Sequence, residues 1–374
     1  MKHFTVSPAP FFRNRSNTTR KIMRDVLIAL APCFLASVFF FGYHVVINLI
    51  VCLGACFGAE LLYELIQKGF RKENIKNASC FDLSCLVTGA LIALTLPSKI
   101  VVTGWNLNFY ADGFRAGGGA GNVLFSFDTV IVCVLGSIFA ICLVKMLFGG
   151  IGRNFMNPAA AARMFLLLCF AFTAVNTVGL GFTASSGATW LAGDKSTAET
   201  SMFLQMLLGN RGTASVGETS MIAILAGGVY LCARKVIDFR IPLIGLGSFM
   251  LFTLVFDGII ARNLFFLPGE LAGNVWANLL AGGFVFGLVF MATDYSTTPN
   301  TTRGHAIFVC GYALITVLIR SFGGYPEGAF FAILLMNIFT PLIDRYVIPK
   351  PFGYIKGRSI RRSAKGKKGA EVNV

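Results

Sequence analysis

Charge is what this sequence has little of. Asp, Glu, Lys and Arg together make up 13% of its 374 residues, where soluble domains carry about a quarter. That shortage excludes an ordinary solvated surface around a single core. Histidine is scarcer still: His3, His44 and His305 are the only three, and they lie far apart. With no HExxH, GxSxG or P-loop pattern beside them, conventional hydrolysis and metal catalysis have no residues to work with. The ten cysteines include no CxxC or metal-spaced pair. Cys33, Cys52, Cys56, Cys133, Cys142, Cys169 and Cys310 fall inside apolar runs and are expected to be small packing residues. No alternating ten-residue pattern marks a membrane β-barrel, and no cleavage-like site follows the first apolar run, so no removable signal peptide is expected.

What is present is apolar length. Hydrophobic residues make up 55% of the chain and mean hydropathy is +0.72. Apolar stretches of about 17 to 25 residues, each enough to cross a bilayer as a helix, recur from Val26 to Val347. The expected fold class is an all-α polytopic membrane protein with about ten transmembrane helices. These are predicted near 26–41, 45–66, 83–102, 127–148, 158–182, 219–232, 241–256, 275–293, 306–322 and 328–347. The domain plan is a basic cytoplasmic arm over 1–25, a membrane domain over 26–347 with an outer loop at 183–218, and a basic cytoplasmic tail over 348–374.

The distribution of positive charge supports that topology. Of the 32 Lys and Arg, only Lys99, Arg115, Lys195, Arg211, Arg262 and Arg320 fall on the outer side; dropping one helix would invert every later loop and destroy the bias. The net charge of +15 therefore follows from membrane topology. With no separate basic soluble domain, nucleic acid is not an expected partner and the lipid bilayer is. Ten helices divide into five and five, which is compatible with two inverted five-helix repeats. Sequence support for the repeat is confined to a small-residue patch shared by the third and eighth helices, at Thr88-Gly89-Ala90 and Ala281-Gly282-Gly283.

Ionisable residues in or beside apolar helices are costly and so stand out. Glu60 and Glu64 lie one turn apart, Asp82 opens the third helix, Lys145 is near the end of the fourth and Asp257 ends the seventh. Glu64 can pair with Lys68 at i,i+4. Glu60 and Asp82 are the candidates for an ion path, set against the plain alternative that such residues cap or pair at helix ends. The polar turns Asn154–Arg163 and Asp294–Arg303 can cap helices or line a cofactor pocket. The basic tail can meet anionic headgroups or dock a partner. On its own letters, Ser186-Gly187-Ala188-Thr189 is a solvated turn.

Several pieces together resemble one family. These are Val6-Ser7-Pro8, the turn Phe148-Gly149-Gly150-Ile151-Gly152-Arg153-Asn154-Phe155-Met156-Asn157-Pro158, Ser186-Gly187-Ala188-Thr189, Met291-Ala292-Thr293-Asp294, Tyr325-Pro326-Glu327-Gly328 and Asn337-Ile338-Phe339-Thr340-Pro341-Leu342-Ile343-Asp344. In order and spacing they are similar to the family that joins the D-type membrane component of the Rnf electron-transport complex to the B-type component of the Na+-translocating NADH:quinone reductase. The short arm favours the Rnf branch. The resemblance implies a ten-helix protein of a prokaryotic inner membrane, with both termini cytoplasmic. It also implies FMN joined through its phosphate to Thr189, with Ser186, Gly187 and Ala188 completing the motif read by a flavin transferase on the extracytoplasmic side. A noncovalent riboflavin or second flavin is left open. Thr183 stands where the family often has an acid, and Trp190 where the Rnf branch often has proline.

By the same resemblance, the complex passes electrons between ferredoxin and NAD+ while translocating Na+ or H+. This chain would be one relay among the other membrane and peripheral Rnf components, with no catalysis alone. The competing expectations are a secondary transporter or channel, whose cue would be discontinuous helices with polar residues at mid-membrane in both halves, and a purely structural scaffold.

Overall fold

A computed structural model describes residues 18–71, 82–102, 108–110, 123–170, 172–173, 175–178, 183–186, 207–209, 215–260, 275–323 and 328–348. The described residues form a helical bundle: α1 (Thr19–Phe41), α2 (Tyr43–Arg71), α3 (Ser84–Thr95), α4 (Phe127–Ile138), α5 (Pro158–Cys169), α6 (Met221–Ala233), α7 (Arg240–Ile260), α8 (Phe284–Phe290), α9 (Thr302–Phe322) and α10 (Ala329–Tyr346). The first helix starts at Thr19, ahead of the expected Val26, because the Thr18 hydroxyl caps it by accepting from Lys21 N. Ser220 caps α6 and Thr301 caps α9 in the same way.

Among the described residues, five helices are long and apolar enough to cross a membrane: Thr19–Phe41, Tyr43–Gln67, Phe127–Met146, Thr302–Phe322 and Ala329–Tyr346. Others are shorter than the sequence suggests, for local reasons. Pro97 disfavours helical backbone at Leu96, so α3 stops at Thr95 and does not reach Val102. The helix expected over 158–182 ends at Cys169. Thr173, Val175, Thr177 and Val178 are β-branched and extend instead. The described residues include three short antiparallel ribbons: β1 (Val101–Val102) with β4 (Phe172–Thr173), β2 (Asn108–Tyr110) with β3 (Val123–Ser126), and β5 (Val175–Val178) with β6 (Thr183–Ser186). The helix expected over 275–293 is broken, with helical backbone over 275–280, a turn at 281–283 and then α8. The helix of α4 continues as a π segment, Phe139–Met146, with i→i+5 bonds such as Leu147 N to Cys142 O at 3.0 Å.

Packing partners recur five helices apart. Helix α2 packs on α4 and α7 on α9; α3 packs on α5 and α8 on α10; α1 packs on α6. Helices α3 and α8 occupy the centre: every residue of α8 is buried, and every residue of α3 except Leu86. The outside is apolar, with Leu35, Leu62, Leu168 and Val229 each at least 60% exposed. That inversion of the soluble pattern fits a multi-pass membrane protein, whose lipid-facing side chains need no water.

Irregular backbone at the centre is held by side chains. The Asn48 amide donates to Pro97 O (3.2 Å) and Ser98 O (3.0 Å), and Thr129 both accepts from Ile100 N (2.9 Å) and donates to Ile100 O (3.2 Å). In the other half Arg320 donates to Asn278 O (2.6 Å) and Ala281 O (3.2 Å), and Tyr312 donates to Phe284 O (2.9 Å). A carbonyl stripped of its helix partner in hydrocarbon costs several kcal/mol, on the order of a lost buried hydrogen bond. These contacts are what allow α3 to end, and the helix over 275–290 to break, inside the bundle.

Candidate functional site

Two polar turns come together at one end of the bundle. In the first, Gly149, Gly150 and Gly152 take φ of 104°, 88° and 82°, a region that side-chain-bearing residues avoid. The reversal that follows is fixed by Asn154 Oδ1 accepting from Gly152 N (3.2 Å). Asn157 then caps α5 by accepting from Ala159 N (3.0 Å) and Ala160 N (3.3 Å), with Pro158 at the favoured first position. In the second turn, Asp294 accepts from Ser296 N (3.2 Å) and from the Ser296 hydroxyl (2.7 Å).

Helix α10 joins the turns. With its amide oriented to satisfy both neighbours, Asn337 accepts from Asn157 N (2.9 Å) and donates to Thr297 O (3.3 Å). The Thr340 hydroxyl also donates to Thr297 O (3.1 Å), and Asp344 takes Asn300 N and Nδ2 at 3.0 and 2.9 Å. At the same end, Arg234 reaches Asp25 of α1 at 3.2 Å.

Between the turns lies a cleft. Met23, Val87, Leu91, Val289 and Phe290 make apolar walls; Ser84, Thr88, Lys145, Asn154, Asn157 and Asp294 supply polar edges. Burial holds the Asp294 carboxyl above the ordinary carboxylate range, against the lowering effect of its bonds to Ser296. Burial also raises the Tyr295 phenol, and the Asp294 charge adds to that.

Lys145 is the one ammonium on the cleft wall among the described residues, and it is turned inward from the π segment. Its Nζ lies 2.6 Å from Glu60 Oε2 and 2.6 Å from Ser84 Oγ, with all three groups buried. Asp82, at the start of α3, belongs to the same electrostatic group. Burial raises its carboxyl, Lys145 opposes that, and Glu60 and Glu64 reinforce it. The structure thus gives Glu60 a structural partner 85 residues away and sets Asp82 within electrostatic reach of the same lysine. Of the segment Ser186-Gly187-Ala188-Thr189, expected to carry a flavin, Ser186 ends β6 opposite Val175; Gly187, Ala188 and Thr189 lie outside the described residues. Among the described residues no three His, Cys, Asp or Glu are grouped as metal ligands.

Glu218 and Arg320 gain their importance only from the fold. Val216–Glu218 is a 3₁₀ turn buried in the core, where the expectation puts the end of an outer loop. An ionisable residue just ahead of an apolar run, as in Gly217-Glu218-Thr219-Ser220, is the signal that sequence offers for it.

A family model described as "NQR2, RnfD, RnfE family" matches residues 5–107 and 126–353. The chain is 35% identical over 367 residues to the D component of the Na(+)-translocating ferredoxin:NAD(+) oxidoreductase complex of Acetobacterium woodii, covering 97% of this chain and 98% of the relative. It is 31% identical over 363 residues to the D component of the proton-translocating ferredoxin:NAD(+) oxidoreductase complex of Clostridium ljungdahlii, with 94% and 96% covered. It is also 31% identical over 392 aligned positions to the D component of the ion-translocating oxidoreductase complex of Escherichia coli, with 95% and 99% covered. The chain belongs to the NQR2, RnfD, RnfE family.

Proposed function

We propose that this chain is the D-type membrane component of an ion-translocating ferredoxin:NAD+ oxidoreductase complex, and that Thr189 carries FMN through a phosphoester. End-to-end similarity to proteins of that name carries the first part. The second part rests on the motif Ser186-Gly187-Ala188-Thr189, which begins where the β5–β6 ribbon ends. A threonine hydroxyl can form the ester, and small neighbours leave the backbone open to a transferase. Bound flavin supplies the electron transfer that no side chain here offers, while the protein supplies position and electrostatics. The positive charge at the end bearing the two turns supports the reading in which that end is cytoplasmic and the Thr189 loop is extracytoplasmic.

The cleft between the turns suits a second, noncovalent flavin such as riboflavin. It pairs apolar walls for a flat ring with amide, hydroxyl and ammonium groups from Asn154, Asn157, Ser84, Thr88 and Lys145 for the ring's polar edge. Partners would be the other membrane and peripheral components of the complex, together with a flavin transferase during maturation.

Coexpression with a flavin transferase tests both sites. The chain should give a fluorescent flavin band in a denaturing gel, and Thr189→Val should remove it; a band that survived would overturn the assignment. Acid extraction should release additional flavin from the native chain. Thr88→Phe, which fills the cleft, should lose that released flavin and keep the covalent band.

A further inference from the structure

Lys99 is a cation without a counter-charge, set at the end of the bundle away from the two turns. It follows α3 on the stretch Pro97-Ser98-Lys99-Ile100 and is only 6% exposed. Asn48 of α2 fixes that stretch on one flank, through its bonds to Pro97 O and Ser98 O, and Thr129 of α4 clamps Ile100 on the other. His44 lies one helical turn before Asn48, on the same face of α2. It is buried and within electrostatic reach of Lys99. At the helical rise it stands about 24 Å from Glu60, far from the Glu60–Lys145 pair. Among the described residues no carboxylate pairs with Lys99; the ion pairs of Lys145 and Arg234 lie at the other end.

Lysine is almost never this buried unless it is paired, and a lone charge in apolar surroundings is far costlier than a paired one. An anion beside Lys99 and His44 offsets that cost. The order of the helices points the same way. Packing recurs five helices apart, and in the second half the turn after α8 places Asp294 on the wall of the cleft. In the first half, the turn after α3 places Lys99 at the matching step. A phosphoryl group suits the pair, because its oxygens accept charge-assisted hydrogen bonds from an ammonium and from an imidazole N–H. Two sources of that chemistry belong at the end of a membrane bundle: a flavin phosphoester on Thr189 and the headgroup of a phospholipid. The strands connect Lys99 to the first, since β1 begins two residues after it and pairs with β4, and Val175 of the next strand lies opposite Ser186, three residues from Thr189.

We propose that Lys99 and His44 form a phosphoryl-binding site at this end of the bundle, filled by the flavin phosphoester or by a phospholipid headgroup. The flavin source rests on the Thr189 reading; the lipid source does not. The test uses the complex purified after coexpression with the flavin transferase, as the parent, Lys99→Gln and Lys99→Arg. Phosphorus NMR of the delipidated complex reads the phosphoester, and mass spectrometry of the intact complex reads retained phosphatidylglycerol. A resonance that shifts in Lys99→Gln and not in Lys99→Arg, with lipid retention unchanged, identifies the flavin. Lost retention with an unmoved resonance identifies the lipid. Parent values of both in Lys99→Gln overturn the site. A parent without a flavin band ends the Thr189 reading alone, and lipid retention then decides the site. If Lys99→Gln does not assemble, His44→Phe takes its place in the same two measurements, and unchanged values there overturn the proposal.

Discussion

Lys145 Nζ sits 2.6 Å from both Glu60 Oε2 and Ser84 Oγ, so one ammonium ties α2, the π segment and the start of α3 together. The pair is almost wholly buried, with side-chain exposures of 2% and 0%. Lys145→Met removes the cation and leaves the carboxylate in its place, which is expected to cost about 3–5 kcal/mol. Adding Glu60→Gln should recover much of the loss. Unfolding of the parent, both single variants and the double variant in mixed detergent micelles measures the coupling; additive losses would contradict it.

Arg320 holds two carbonyls of the broken helix and lies over the Phe249 ring, 5.4 Å from its centroid. A lysine has one point charge where arginine has a planar fork. Arg320→Lys should therefore lose part of the stability and Arg320→Met more, about 2–4 kcal/mol, as the Asn278 and Ala281 carbonyls lose their donors. Faster amide exchange over 275–283 in Arg320→Met is the local signature.

Gly150 separates space from conformation. A Cβ there meets nothing within 4 Å, yet φ is 88°. Gly150→Ala should cost about 1–2 kcal/mol from backbone strain alone. A Gly150→Asn variant should recover part of it, since Asn tolerates that region better than Ala does. Thermal melts of the two variants give the comparison.

Asp294 makes stability depend on pH in a defined direction. Burial raises its carboxyl above the ordinary value of 3.8, so between that value and the raised one the native state binds more proton than the unfolded state. Stability from this group is then present at low pH and falls as pH rises through the folded pKa. Relative to Asp294→Asn, the parent should gain stability on acidification across that window. Parallel melts of the two proteins at stepped pH test the sign.

Much of this architecture was legible in the chain because its signals are local. Hydropathy marks the apolar segments and Pro158 marks the start of α5, whereas the stop ahead of Pro97 and the caps at Ser220 and Thr301 are missed by expected bounds of 83–102, 219–232 and 306–322. Other features depend on partners distant in sequence. Gly282-Gly283 reads as a packing patch until Arg320 and Tyr312 are seen holding the exposed carbonyls of a break. The run from Phe170 to Phe182 is as apolar as a helix, and only its pairing with 101–102 and 183–186 reveals strands. The cleft is built from turns 140 residues apart along the chain, at Asn154 and Asp294, so the sequence could name both turns without placing them side by side.

The inverted distribution of side chains has a practical consequence for making this protein water-soluble. Its polar contacts are internal: Ser37, Thr95 and Thr316 are 0% exposed and Asn48 2%. Its large aliphatic residues point outward, with Leu35, Leu168, Val229 and Leu251 between 59% and 68% exposed. A soluble counterpart would be obtained by recoding the outer aliphatic positions to Glu, Lys and Gln, which keep helical propensity, while leaving the inner hydroxyls and amides untouched. The customary rule of preserving the greasy residues and varying the polar ones would dismantle it.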